Sequence, residues 1–324
     1  MQYGLATVDS DGELNAVLVR DNTYVPLAHW GDTRSIPALL QDWPQVSPML
    51  AGYAADDNAF ANAAAFDEAD VQMPYRPGQV FCTGANYRKH VVGIIMGDPS
   101  MRTAEHDNLT AAELKAQAEK VMDQRAAGLP FCFIKLPSCV TGPRDPVVLP
   151  SNVEKPDWEL ELGVVIGRRA HRVAAAQAMD YVAGFAVVND VTAREHIFRR
   201  DGSALGGDWL SGKCFPTFLP FGPLLVPREV AGDPYAMNIR LAVNRKVYQD
   251  ESTSDMLISI ERQIEYLSNR VVLEPGDVIC TGSPYGNGSA FGVFLKPGDV
   301  MEGEIGVLGR QRNVCVAEAE FPGL

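Results

Sequence analysis

The sequence predicts a mixed α+β fold, rich in strand, with a small N-terminal part ahead of a larger β-rich part. Three observations carry that prediction. The stretch Trp158-Glu159-Leu160-Glu161-Leu162-Gly163-Val164-Val165-Ile166 reads as a strand, and its apolar end implies burial on both faces. Leu273-Glu274-Pro275-Gly276-Asp277-Val278 is echoed by Leu295-Lys296-Pro297-Gly298-Asp299-Val300, each a Pro-Gly turn that opens a strand. Pro74-Tyr75-Arg76-Pro77-Gly78 marks a boundary, because prolines stiffen a connection and forbid pairing. A small domain over 1–73 and a larger one over 79–324 follow.

In the first domain, Asp9-Ser10-Asp11-Gly12 is a turn between the strand-like runs Leu5-Ala6-Thr7-Val8 and Ala16-Val17-Leu18-Val19. Ser35 opens a short helix with Ile36, Leu39, Leu40 and Trp43 at helical spacing. An alanine-rich helix is predicted over 58–66. In the second domain, Val80-Phe81-Cys82-Thr83 is a strand running into the loop Gly84-Ala85-Asn86-Tyr87-Arg88-Lys89-His90. Loops at strand ends carry chemistry, although His90 on a basic turn also reads as an ordinary surface residue. Residues 97–129 form a helical insertion. Thr110-Ala111-Ala112-Glu113 is a capping box, Leu114, Ala118, Val121 and Met122 make an apolar stripe, and Gly128 is placed to end the helix in the left-handed conformation. Such a helix serves as packing, as a lid or as an oligomer contact, and packing is the default.

Phe131-Cys132-Phe133-Ile134-Lys135-Leu136 returns to strand with Lys135 as a lone cation, and a helix over 174–179 precedes a strand over 182–189. Asp190 follows that strand and precedes a second capping box, Thr192-Ala193-Arg194-Glu195, whose helix N-terminus favours an ionised carboxylate. Gly206-Gly207-Asp208-Trp209-Leu210-Ser211-Gly212-Lys213 is a glycine-rich loop without the spacing of a nucleotide cradle. Prolines 216, 220, 223 and 227 make the next region irregular. In Thr281-Gly282-Ser283-Pro284, hydroxyl and backbone donors are available to a carboxylate.

Glu159 and Glu161 lie two apart, so a strand points both carboxylates from one face, where they repel unless a cation separates them. With Asp190 from the next strand end they describe an oxygen-ligand site for Mg²⁺, Mn²⁺ or Ca²⁺. The other reading is a solvated strand face, and the apolar continuation to Ile166 argues against it.

A net charge of -13 argues against binding a nucleic-acid backbone, so an anionic substrate needs local cations. Uninterrupted apolar runs are too short to cross a bilayer, and Met1-Gln2-Tyr3-Gly4 lacks the features of a secretory leader. The expected location is cytoplasmic, with no membrane partner. The six cysteines contain no CxxC pair and suit a reducing compartment.

Taken in order, Gly84-x-Asn86-Tyr87-x-x-His90, Phe133-x-Lys135, Asp157-Trp158-Glu159-Leu160-Glu161, Asn189-Asp190-Val191-Thr192-Ala193-Arg194, Gly212-Lys213, Gly222-Pro223, Thr281-Gly282-Ser283-Pro284 and Pro297-Gly298-Asp299-Val300 resemble the fumarylacetoacetate hydrolase family. The resemblance runs from about residue 79 to the C-terminus. It implies a mixed β-sandwich roll as catalytic domain, a smaller N-terminal α+β domain, a homodimer, and a divalent metal, Mg²⁺ or Mn²⁺, on Glu159, Glu161 and Asp190. It also implies a small anionic keto-acid substrate, with Lys213 holding enolate charge and His90 as general base. The same motifs assign Tyr87, Arg88, Lys135, Arg194, Thr281, Gly282 and Ser283 to substrate contacts.

The family cleaves C–C bonds of acylpyruvates and fumarylacetoacetate, decarboxylates 2-oxo acids, and interconverts enol and keto forms. The expected activity is metal-dependent C–C hydrolysis of a 1,3-diketo acid. The alternatives are a decarboxylase or enol–keto isomerase, and a catalytically silent metal-binding relative. Three departures bear on the choice. Gly93 stands where many members carry an acid partner for the histidine, the insertion over 97–129 is long, and Pro216 replaces a usual aspartate. Glu105, in the insertion, is the candidate replacement acid; read plainly, it is an exposed loop carboxylate.

Overall fold

A computed structural model describes residues 1–67, 69–97, 109–197 and 206–321. Glu105, the candidate acid partner of His90, lies outside the described residues. The first 72 residues build a five-stranded sheet in which Gly4–Ser10 pairs antiparallel with both Glu13–Arg20 and Asp70–Gln72. The helices Ile36–Gln41 and Trp43–Ala54 cover it. Their apolar residues Leu39, Leu40, Trp43 and Val46 join Val165, Ala183 and Ala186 in one core, so these helices seal one face of a larger sheet.

That larger sheet has six strands, with Leu160–Ile166 near its centre between Val182–Asn189 and Val278–Cys280. Val278–Cys280 runs parallel to Val80–Gly84, whose other neighbour is the edge strand Phe131–Lys135. Every residue of Leu160–Ile166 and of Val182–Asn189 is buried. A second sheet of five strands, including Asn238–Val243, Val300–Ile305 and Arg310–Ala317, packs its apolar side against the first. The sandwich is thus a mixed α+β, strand-rich structure, as the sequence predicts. The two Pro-Gly turns do open strands, at Val278 and at Val300.

Close packing leaves no room for a side chain at Gly184, where an added Cβ would lie 2.1 Å from the Val226 carbonyl oxygen. Gly184→Ala is expected to displace the strand Val226–Pro227 and to cost about 3 kcal/mol, read from the denaturant midpoint.

Several local predictions are corrected. The alanine-rich stretch over 58–66 yields only the helix Asp57–Phe60, because Ala64–Ala65 leaves to pair with Thr23–Pro26. His90 is not on a loop: it occupies the first turn of the helix Arg88–Gly97. The capping box at Thr110 forms and starts the helix Ala111–Ala127, but Val121 of the predicted stripe is exposed. Gly128 ends that helix in an extended conformation, and Arg262 donates to the carbonyls of Ala126 and Gly128 instead. The second capping box does not form. Thr192 lies in a two-residue strand and its hydroxyl donates back to the Asp190 carbonyl, so Asp190 gains little from the four-residue helix Arg194–Ile197. The glycine-rich stretch closes into the helix Trp209–Lys213, capped by Asp208.

Candidate metal centre and active site

The site sits where two adjacent strands release their ends. Glu159 immediately precedes Leu160–Ile166, and Asp190 immediately follows Val182–Asn189, its antiparallel neighbour. The backbone fixes this juxtaposition, since the Asp190 N–H donates to the Glu159 carbonyl (2.8 Å) and the Glu159 N–H to the Asn189 side chain (2.9 Å). Glu161 follows two residues along, on the same face as Glu159. One ligand atom from each of Glu159, Glu161 and Asp190 lies within 4.8 Å of the others, and all three residues are buried.

Cations surround two of the three carboxylates. Lys135 Nζ donates to Asp190 Oδ1 (2.6 Å), while Lys213 Nζ bridges Glu159 Oε2 (2.6 Å) and Asp190 Oδ2 (2.5 Å). Arg194 pairs through Nη2 with Glu159 Oε1 (2.6 Å) and donates from Nε to Asp157 Oδ2 (2.8 Å). Burial pushes the Glu159 carboxyl up, but Arg194 and Lys213 outweigh it and hold Glu159 below the usual carboxylate range. Burial likewise opposes the charge on Lys213, and Asp190 and Glu159 outweigh it.

Glu161 differs. It accepts a hydrogen bond from the Gly282 N–H (2.8 Å), but among the described residues no lysine or arginine pairs with it. Burial, then the charge of Asp190, raises its pKa well above the ordinary value. Counting the neighbouring Asp157 with the three, four carboxylates face Lys135, Lys213 and Arg194, so full ionisation leaves one negative charge uncompensated. A buried excess negative charge beside three convergent oxygen ligands fits a hard divalent cation. Each carboxylate has about four acceptor directions, so the ammonium groups do not exhaust them.

Metal loading requires Glu161 in its ionised form, which burial disfavours. Below the raised pKa, Mn²⁺ binding is expected to release about one proton per ion and to tighten about tenfold per pH unit. Calorimetry in buffers of different ionisation enthalpy measures that proton.

His90 is buried, and burial lowers its pKa to about 4, so the imidazole is neutral at physiological pH. Among the described residues no carboxylate lies within ion-pair or hydrogen-bond reach of its ring. A side chain at position 93 has no room: an added Cβ would lie 2.5 Å from the Tyr285 ring.

The residues assigned to substrate divide sharply. Tyr87 is fully buried, its hydroxyl near Thr281 and Glu161 and without a well-aligned acceptor. Arg88 is turned outward, paired with Asp123 of the helix Ala111–Ala127 (2.6 Å). Lys135 and Arg194 hold the carboxylates rather than a vacant anion site. The Thr281 hydroxyl donates to the Leu162 carbonyl, Gly282 holds Glu161, and Ser283 accepts from Gln249. Two contributors went unassigned from sequence, Asp157 and Tyr285. Asp157 was legible in principle, because it extends the alternation of Glu159 and Glu161 by one more step.

Residues 79–316 match the family model of the fumarylacetoacetate (FAA) hydrolase C-terminal domain, and the chain belongs to that family. It is 39% identical over 236 residues to a mitochondrial oxaloacetate tautomerase of Homo sapiens, covering 72% of this chain and 65% of that one. A second human mitochondrial oxaloacetate tautomerase matches over 57% of its length, so the chain spans only part of these relatives. Among solved structures, a probable 2-hydroxyhepta-2,4-diene-1,7-dioate isomerase from Mycobacterium abscessus superposes with a TM-score of 0.73 at 28% identity, covering 97% of this chain and 99% of that one. Maleylpyruvate hydrolase from Sphingobium, solved with manganese(II) and pyruvate, shares the fold with a TM-score of 0.69 at 23% identity, over 98% and 99% of the chains. The family is one of enzymes, and its members include tautomerases, isomerases and hydrolases of keto acids. Among the described residues no helix is long and apolar enough to cross a membrane.

Proposed function

We propose that the chain is a divalent-metal-dependent keto–enol tautomerase or isomerase acting on a small 2-oxo diacid such as oxaloacetate. The observation that carries this reading over C–C hydrolysis is Gly93 under the Tyr285 ring. Hydrolysis needs a base that is oriented, and stabilised once protonated, while it activates water; an acid partner ordinarily supplies both. Tautomerisation moves a proton between carbon and oxygen of one molecule and needs no water. The named activity of the human relatives supports the same choice.

Glu159, Glu161 and Asp190 would hold Mg²⁺ or Mn²⁺, which when bound polarises the 2-oxo group and offsets enolate charge. Lys135 and Lys213 fix the carboxylates in place, and Arg194 holds Glu159 from the other side. Neutral His90 accepts the proton released from carbon and returns it to the same substrate molecule.

The deciding experiment presents the Mn²⁺- or Mg²⁺-loaded protein with enol-oxaloacetate and with a set of acylpyruvates. Faster enol–keto exchange at unchanged mass is expected; cleavage into two carbonyl fragments or release of carbon dioxide would overturn the reading. We also propose a cytoplasmic homodimer. The edge strand Phe131–Lys135 and its flanks expose Leu129, Phe131, Ile134 and Leu136, an apolar edge that a second copy would cover. Sedimentation of Ile134→Lys is expected to show monomer where the unaltered protein shows dimer.

A further inference from the structure

Asp157 is as buried as the three carboxylates, yet it lies outside their cluster and accepts four hydrogen bonds of its own. Its Oδ1 accepts from the backbone N–H groups of Trp158 (2.8 Å) and Gly288 (2.6 Å). Its Oδ2 accepts from Arg194 Nε (2.8 Å) and the Ser289 N–H (3.1 Å). The two oxygens therefore do different work. Oδ1 ties the segment around Gly288 to the strand that carries Glu159. Trp158 reinforces that tie, donating to the Gly286 carbonyl (2.9 Å) while its own carbonyl accepts from Asn287 (2.9 Å). Oδ2 fixes the plane of the Arg194 guanidinium, whose Nη2 then forms an ion pair with Glu159 Oε1 at 2.6 Å, a contact of charge without the alignment of a hydrogen bond.

We infer that Asp157 is a positioning residue for the metal ligand Glu159, acting through the rigid fork of Arg194. This rests on the reading of Glu159, Glu161 and Asp190 as metal ligands. A guanidinium is planar, so anchoring Nε at Asp157 determines where Nη2 lies, and the positive charge placed there draws Oε1 of Glu159 to one side of the site. Lys213 grips only the other oxygen, Oε2, and a single point contact leaves the place of Oε1 open. Groups behind a ligand commonly set metal affinity to within one or two orders of magnitude.

The split between the two oxygens gives a selective test. In Asp157→Asn the carboxamide oxygen can keep both contacts of Oδ1, while the amide group faces Arg194 and breaks that arm. Arg194→Lys keeps the positive charge but loses the fork, so it separates positioning from charge. Mn²⁺ affinity is measured by calorimetry at fixed pH on both variants, on Glu161→Gln and on the unaltered protein, with unfolding midpoints in EDTA alongside.

Both Asp157→Asn and Arg194→Lys are expected to bind Mn²⁺ about 10- to 100-fold more weakly per folded molecule. A merely structural role would lower the midpoints and leave the affinity of the folded fraction unchanged, which overturns the inference. Loss in Asp157→Asn without loss in Arg194→Lys means that charge alone acts, and also overturns it. Should Asp157→Asn fail to fold, Arg194→Lys decides by itself. If the unaltered protein binds no Mn²⁺, or Glu161→Gln binds it equally well, the metal reading and this inference fall together.

Discussion

Lys213→Met is expected to cost the metal-free protein about 4 kcal/mol of stability and to lower turnover at least ~100-fold. The lysine is 2% exposed and its ammonium bridges Glu159 and Asp190 at 2.6 and 2.5 Å. Methionine fills similar space but leaves two buried carboxylates facing each other with less compensation. Removing one partner of a buried pair costs more than the pair contributes, because the remaining charge keeps its full desolvation penalty. The sign of the metal effect follows. With one cation fewer, the cluster attracts a divalent ion more strongly, so Mn²⁺ is expected to raise the variant's melting temperature more than that of the unaltered protein. Thermal melts with EDTA and with Mn²⁺ measure both effects, and equal Mn²⁺ shifts would show that Lys213 and the ion do not share the carboxylates.

Opposite consequences are expected from two substitutions that each neutralise one carboxylate. Glu161→Gln removes a group whose ionised form burial disfavours, so the metal-free fold should gain about 1 kcal/mol or stay unchanged. Its Mn²⁺ affinity should fall at least ~1000-fold, because an amide oxygen replaces one of three anionic ligands. Asp190→Asn instead takes the partner from Lys135 and from Lys213, leaving both ammonium groups without a counter-charge there. That variant is expected to lose about 4 kcal/mol in EDTA as well as its metal. Chemical denaturation of the two, compared in EDTA, separates a ligand that the metal-free fold tolerates poorly from one that it requires. Similar stabilities would mean that the lysines find other acceptors.

Patterns local in the chain were legible before any coordinates. The apolar run to Ile166 identified a strand buried on both faces, the Pro-Gly pairs identified strand openings, and Thr110 with Glu113 identified a helix start. The three convergent carboxylates were legible too, because a period of two and one strand end suffice to bring them together. What the sequence hid is the pairing. Lys135 reads as a lone cation among apolar residues, yet its partner Asp190 lies 55 residues on; Lys213 reads as part of a glycine loop, yet grips Glu159 from 54 residues away. No periodicity relates such positions, since strand order in the sheet decides them. Thr192 failed as a cap for a related reason. Its hydroxyl had a nearer acceptor in the Asp190 carbonyl, and a strand bridge to Asp157 claimed its backbone.

The contact between Gly93 and Tyr285 constrains how this chain could change its chemistry over time. Gly93→Glu alone would drive its Cβ into an aromatic ring 2.5 Å away, so the first step toward an acid beside His90 carries a folding penalty. Shrinking Tyr285 first opens the space but removes the ring that packs against Gly93 on the helix that carries His90. Neither single substitution is favourable by itself, and only the pair restores a packed site. A lineage at this point is held on its side of a fitness valley by steric order of events, whatever advantage the other reaction offers.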